Sequence, residues 1–126
     1  PEHIFIFGLR TEEVAAMRAA GSYRPAEVAR SHPEVAQAVE ALRSDWLTGG
    51  DPSLFAPIYD ALMVHGDRYF VLADLPAYAA AHAQAVQRYA DRHGWARSAL
   101  VNIARAGFFS SDRTILEYAR GIWGIA

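Results

Sequence analysis

Histidines are the most versatile candidates for catalysis or metal binding in this sequence, and they occur at His3, His32, His65, His82 and His93. A metal site needs several such ligands at a spacing that brings them together on one face or loop. None pairs with another histidine or a carboxylate in that way on one helix face, and His82 and His93 lie about three helical turns apart. We therefore expect no metal site and interpret His82 as a helix-packing residue.

The sequence also lacks recognisable motifs for nucleophilic catalysis and for phosphate binding. No serine lies in the glycine-flanked turn of a hydrolase nucleophile. Gly8 follows an apolar run, but the next residues lack the further glycines of a dinucleotide turn, and Glu12 and Glu13 would repel phosphate. All twelve basic residues are arginine, which cannot form a Schiff base. The sequence alone thus predicts no catalytic, cofactor-binding or metal-binding residue.

Composition excludes several classes of protein. The 126-residue chain has a net charge of −2 and scattered arginines, which does not fit a nucleic-acid-binding stripe. No apolar run is long enough to cross a membrane, and no secretion leader is visible. Cysteine is absent, which fits a cytoplasmic protein. Because the chain begins at Pro1, we expect a processed product or a fragment.

The stretch from Phe109 to Ile115 predicts a sharp helix start. Ser110, Ser111, Asp112 and Thr114 can each accept a helix N–H, and Thr114 with Glu117 fits a capping box. Asp112 gains from the helix dipole, and Arg113 is suited to reach a carboxylate or backbone carbonyls across an interface.

The helix that follows, over about residues 111–123 with its end at Gly124, carries one apolar stripe. The stripe consists of Ile115, Tyr118, Ala119, Ile122 and Trp123. It holds too much apolar surface to remain in water, so it must dock, either on the core of this chain or on another surface.

Two short segments predict parallel strands, Ile4–Phe7 and Tyr69–Ala73. Two strands do not make a stable sheet. Either they form one pair covered by helices, or they belong to a larger α/β domain, which we favour.

The remainder predicts a single, mainly α domain over residues 1–126, with six or seven helices. Helices are expected to start at Thr11, at a Ser31–Glu34 capping box, at Asp51–Pro52, at Asp74 and at Trp95. The helix from Asp51 is expected to kink or restart at Pro57. The helix from Asp74 is expected to end at His93–Gly94, and the helix from Trp95 at Gly107. The expected inward faces are Val35, Val39, Leu42 and Trp46 on one helix, and Leu100, Ile103 and Ala104 on another.

Three blocks of sequence resemble the C-terminal end of the α-glucan phosphorylases, the family of glycogen, starch and maltodextrin phosphorylases. The blocks are His3 to Leu9, Asp51 to Phe55 with Asp67 to Asp74, and Trp95 with Asn102 to Trp123. Departures are modest: Phe108 replaces a usual lysine, Arg88 to Gly94 lacks an Asp-Pro, and Pro57 is atypical.

The resemblance implies a parent glycosyltransferase with two Rossmann-like domains, which uses phosphate to release glucose 1-phosphate from α-1,4-glucan with pyridoxal phosphate as cofactor. The family's Schiff-base lysine and its phosphate- and glucose-binding residues precede the segment at Ile4. The isolated chain is therefore expected to be inactive and to bind no cofactor. The missing N-terminal part of the parent enzyme is expected to bind α-glucan and phosphate.

The family's last helices cross back onto the N-terminal domain, which implies a role as a structural, interdomain segment. The residues assigned to that contact are Phe109, Ser110, Ser111, Asp112, Arg113, Ile115, Tyr118, Ile122 and Trp123. Separated from its partner, the chain is expected to self-associate. The alternative is a stand-alone helical interaction module without catalysis.

Overall fold

A computed structural model describes residues 2–125, and it is mainly helical over that range. Its α-helices are α1 Thr11–Ala20, α2 Pro25–Ser31, α3 Pro33–Ala41, α4 Asp45–Thr48, α5 Ala56–Tyr59, α6 Val71–Ala90, α7 Arg92–Arg105 and α8 Ser111–Tyr118. Wider π-type turns follow α5 at Asp60–Val64 and α8 at Ala119–Trp123, and a tight 3₁₀ turn spans Ala106–Phe109.

The chain divides into two compact units. The first, here called the core unit, is Ile6–Ala83, and the second, here called the helix unit, is Pro1–Phe5 with Gln84–Ala126. That the whole chain is one segment of a larger domain stays a prediction.

The core unit contains a small cluster of buried apolar side chains. Val35 and Val39 of α3 meet Leu72 of α6, and half-buried side chains of α2, α5 and the following π-type turn surround them. Val35 and Val39 thus confirm the predicted inward face. Trp46 does not, because the helix ends at Ala41, α4 restarts at Asp45, and the indole is left 77% exposed.

The prediction of a strand over Tyr69–Ala73 is wrong, because α6 begins inside that segment at Val71. The preceding backbone turns sharply, with left-handed φ angles of 46° at Asp67 and 61° at Phe70. The Asp67 carboxylate then accepts the N–H groups of Val71 and Leu72, at 3.0 and 2.8 Å. A buried N-terminal cap has therefore overridden the β propensity of this apolar run.

The strand predicted over Ile4–Phe7 is also not found. These residues are irregular, and no β-ladder is present among residues 2–125. A strand requires a hydrogen-bonded neighbour, and the described part of the chain supplies none. The Rossmann-like setting expected for this segment is accordingly not confirmed.

Three predicted helix starts in the core unit are wrong: α6 begins at Val71 rather than at Asp74, and the starts at Ser31 and Asp51 do not form. Ser31 belongs to the end of α2 and donates to the carbonyl of Glu27 at 2.9 Å, while α3 begins at Pro33 after His32. Asp51 closes a local turn by accepting the Ser53 hydroxyl and N–H, and these hydrogen bonds lower the pKa of Asp51. The kink or restart expected at Pro57 is instead a helix start, because residues 51–55 form no helix and α5 begins at Ala56.

The boundary between the two longest helices lies earlier in the chain than predicted. Helix α6 ends at Ala90, and the Asp91 carboxylate accepts the N–H of Gly94 at 3.0 Å to start α7. Trp95 therefore lies within α7. The inward face predicted for this helix is wrong at Leu100 and Ile103, which are both exposed.

Candidate docking surface

Helix α8 is capped by Ser110, whose hydroxyl oxygen accepts the N–H of Arg113 at 3.3 Å. Thr114 adds a second local bond, because its hydroxyl donates to the carbonyl of Ser110 at 3.1 Å. The predicted Thr114–Glu117 capping box is wrong, since Ser110 is the capping residue and Glu117 binds Arg113 instead. The π-type turn then carries the helical backbone to Gly124, which is left-handed with φ 65°.

The apolar stripe predicted on this segment lies largely in solvent. Ile115, Tyr118, Ile122 and Trp123 each expose about half to two-thirds of their surface. Tyr118 and Trp123 contact each other edge-on, with ring centroids 6.1 Å apart. No described side chain of the helix unit is fully buried, so this unit lacks an apolar core of its own.

Arg113 is bound within its own chain. Its guanidinium carbon lies 3.8 Å from the centroid of the Phe108 ring, its Nε donates to the Phe108 carbonyl, and its Nη1 binds the Glu117 carboxylate. These are the partner types predicted for Arg113, a carbonyl and a carboxylate, but both are intrachain. Ser111 and Asp112 occupy the exposed first turn of α8.

Phe109 is the most exposed large apolar residue of the described chain, at 80%. Its ring meets that of Phe108 at 88°, with centroids 5.3 Å apart. The 3₁₀ turn that holds both rings ends where the N–H of Ser110 donates to the carbonyl of Gly107 at 3.1 Å. Phe109 therefore projects from a hydrogen-bonded turn.

The helix unit also contains a shallow, mostly apolar groove of about 370 Å³, which the sequence analysis did not predict. Trp95 lies between the rings of Phe5 and Tyr89, at centroid distances of 6.3 and 5.1 Å. Residues of α7 hold the first segment of the chain there: Ser98 lies 3.1 Å from His3 Nδ1, and Asn102 donates to the His3 carbonyl at 2.9 Å. These long-range contacts had no signal in local sequence patterns.

The core unit has one buried carboxylate, Asp67, which is 2% exposed. Besides its two bonds to the start of α6, it accepts the hydroxyl of Tyr23 at 2.6 Å. Burial, reinforced by this bond to Asp67, raises the pKa of Tyr23 well above its usual value. Local sequence patterns gave Asp67 no structural role, and the one available signal was an aspartate four residues before a helix.

Groups of three or more potential metal ligands do not occur within residues 2–125. The ring of His82 lies beside that of Tyr78, with centroids 6.0 Å apart. Across the same residues, no helix combines the length and hydropathy needed to span a bilayer.

The helix unit thus combines an exposed apolar stripe on α8 with the lack of any buried side chain among its described residues. Residues 1–125 match the model of the carbohydrate phosphorylase family, and the chain belongs to that family. The match covers virtually the whole chain, so both units lie within it.

Glycogen phosphorylases are among its relatives. The chain is 40% identical over 125 residues to glycogen phosphorylase of Bacillus subtilis (strain 168), and 43% identical over 124 residues to that of Synechocystis sp.. The brain form of the human enzyme is 44% identical over 124 residues. These alignments cover 98–99% of this chain but only 14–16% of the relatives, so the chain spans about one-seventh of their length.

Proposed function

We propose that this chain is the C-terminal structural segment of an α-glucan phosphorylase, an enzyme that releases glucose 1-phosphate from α-1,4-glucan with inorganic phosphate. The observation that carries the proposal is the exposed apolar stripe of α8 on a unit without a buried core. Burying such a stripe stabilises an assembly by about 1.5–3 kcal/mol per large side chain. Family membership and the small share of each relative that is matched support further phosphorylase polypeptide as the partner.

Within that assembly, the segment would act as a clamp between domains. The residues proposed for the contact are Phe109, Ser110, Ser111, Asp112, Arg113, Ile115, Tyr118, Ile122 and Trp123. Ser110 would contribute through its cap and Arg113 through its intrachain bonds, while the apolar members would make the contact itself.

The chain's own residues do not fit the cofactor of this family as a covalent group. Pyridoxal phosphate attaches through a lysine amine, and this chain contains arginine but no lysine. We therefore assign cofactor, glucan and phosphate binding to the remainder of the parent enzyme and expect no catalysis by this chain alone. A cytoplasmic location stays a prediction.

In the parent, the segment Ile4–Phe7 would join a sheet of a Rossmann-like domain as a strand. Ile4 and Ile6 are exposed here, as expected for a segment that lacks strand neighbours. The alternative of a stand-alone interaction module is not favoured, because the relatives matched along the whole chain are glycogen phosphorylases.

A segment exchange tests the proposal. In Bacillus subtilis glycogen phosphorylase, the matched residues are replaced by this chain, and release of glucose 1-phosphate from maltodextrin is measured. We expect an active hybrid, with Ile122→Asp abolishing most activity because it places a charge in the stripe. Arg120→Gln, in the same helical turn but off the stripe, is the matched control and should retain activity.

A second hybrid controls for sequence divergence. It carries the corresponding segment of the Synechocystis relative in the same Bacillus subtilis background. An active Synechocystis hybrid beside an inactive hybrid with this chain would overturn the proposal. Equal activity of Ile122→Asp and Arg120→Gln would refute the role of the stripe.

A further inference from the structure

Several local hydrogen bonds hold the turn that precedes α8. Ser110 caps the helix, the N–H of Ser110 closes the 3₁₀ turn on Gly107, and Thr114 donates back to the carbonyl of Ser110. Arg113 then joins this turn to the helix, because one guanidinium binds the Phe108 carbonyl and the Glu117 carboxylate together. The backbone on both sides of Phe109 is therefore fixed by local bonds.

The two neighbouring aromatic rings of this turn have different surroundings. The Arg113 guanidinium lies over the ring of Phe108 at 3.8 Å. The ring of Phe109 meets the Phe108 ring edge-on and is 80% exposed. Phe109 is thus a large, mostly exposed apolar side chain on a turn that is fixed by hydrogen bonds.

We propose that Phe109 is the anchor of the interface between this segment and the rest of the phosphorylase, and that Arg113 is a positioning residue that holds it in place. An anchor on a fixed support loses little conformational entropy on docking, and buried aromatic anchors dominate interface energies. This inference rests on the proposed function and adds to it a single residue as the anchor of the docking contact.

The partner surface that fits this anchor is a concave apolar pocket on the remaining phosphorylase polypeptide. Since the Arg113 Nε and Nη1 atoms already have intrachain partners, the pocket need not supply a carboxylate for them. The matched relatives extend over about seven times the length of this chain, which leaves ample polypeptide to form such a pocket.

Hydrogen exchange in the Bacillus subtilis hybrid tests the anchor. Amides of residues 115–118 in α8 exchange when the segment opens, so their rates report the local opening equilibrium. We expect Phe109→Ala to accelerate this exchange about 30-fold or more, as for an interface hot spot. Phe108→Ala is the matched control and should accelerate it about 2- to 5-fold, through loss of the cation–π contact.

A double-mutant cycle tests the role of Arg113. Arg113→Lys keeps the charge beside Glu117 but loses the planar stack and the Nε bond, so we expect about 10-fold faster exchange. Combined with Phe109→Ala, the same change should add less than about 2-fold, because there is no anchor left to position. A merely structural Arg113 would give the same factor in both backgrounds, and that result would overturn its assigned role.

The outcomes separate the anchor from the proposed function. Activity of the unmutated hybrid decides the proposed function, whereas the ratio of the two alanine variants decides the anchor. An active hybrid in which Phe109→Ala exchanges no faster than Phe108→Ala would overturn the anchor and leave the proposed function standing.

Discussion

Removal of the Tyr23 hydroxyl group, by Tyr23→Phe, should clearly destabilise the core unit. The Tyr23 hydroxyl donates at 2.6 Å to the Asp67 carboxylate, which is almost completely buried and also caps α6. A hydrogen bond to a charged group contributes about 1.5–3 kcal/mol. The phenylalanine ring would still stack on Phe70, at a centroid distance of 4.5 Å in the native chain, so the loss isolates the hydroxyl.

The assay is urea unfolding of the 126-residue chain, followed by circular dichroism at about pH 7. We expect Tyr23→Phe to lower the free energy of unfolding by about 1.5–3 kcal/mol with an unchanged denaturant slope. Tyr59→Phe is the matched control, because its hydroxyl makes only a long contact of 3.4 Å with Arg43 at the surface. The control should cost less than about 0.5 kcal/mol.

Alkaline pH should remove the same contribution. Burial, followed by the hydrogen bond to Asp67, raises the pKa of Tyr23, so the folded chain holds this proton more tightly than the unfolded chain. The resulting stability is complete below about pH 10, the pKa of an unperturbed tyrosine, and is lost as the pH rises through the higher folded pKa. The difference between native chain and Tyr23→Phe should therefore be constant from about pH 7 to 9 and shrink above about pH 10.

Two results would refute this reasoning. The first is an equal loss of stability in Tyr23→Phe and Tyr59→Phe, which would mean that the buried carboxylate does not depend on the hydroxyl. The second is a difference between the native chain and Tyr23→Phe that grows above about pH 10, because that would require a lowered pKa for Tyr23.

The remaining predictions concern the first segment, the cap of α8 and the exposed stripe. Gly8→Ala should lower the free energy of unfolding by about 1–3 kcal/mol in urea, because its φ of 88° is left-handed and the new Cβ would lie 2.9 Å from the Asp74 carboxyl group. Ser110→Ala should reduce the helicity seen by circular dichroism, at a cost of about 1 kcal/mol, whereas Ser110→Gly should cost only a few tenths. The isolated chain should self-associate in sedimentation velocity, and Ile122→Asp should reduce that association; a concentration-independent monomer would contradict it.

Local patterns predicted the parts of the fold that depend on neighbours in sequence. Val35 and Val39 follow the helical period and are buried, and Ser110 was among the candidate caps of α8. The stripe and Arg113 were selected as interface candidates from local signals, whereas Phe109 was assigned to the contact through the family resemblance. The geometry shows the intrachain bonds of Arg113, but the interface assignment stays a prediction.

The failures arise where a distant residue decides the local structure. Tyr69–Ala73 has strand composition, yet Asp67, held in turn by Tyr23 from 44 residues earlier, starts a helix there. Ile4–Phe7 has strand composition as well, but composition does not supply the neighbouring strand. Trp46 fits the helical period of α3, but the helix ends before it.

The unequal cores of the two units imply an order of opening when this chain is heated. The core unit has Val35, Val39 and Leu72 to hold it together, whereas α7 and α8 depend on whatever covers them. Elements without their own buried contacts open at lower free energy than the rest of a protein. In this chain, these two helices should therefore open before the core unit does, which makes them the first sites of proteolytic cleavage.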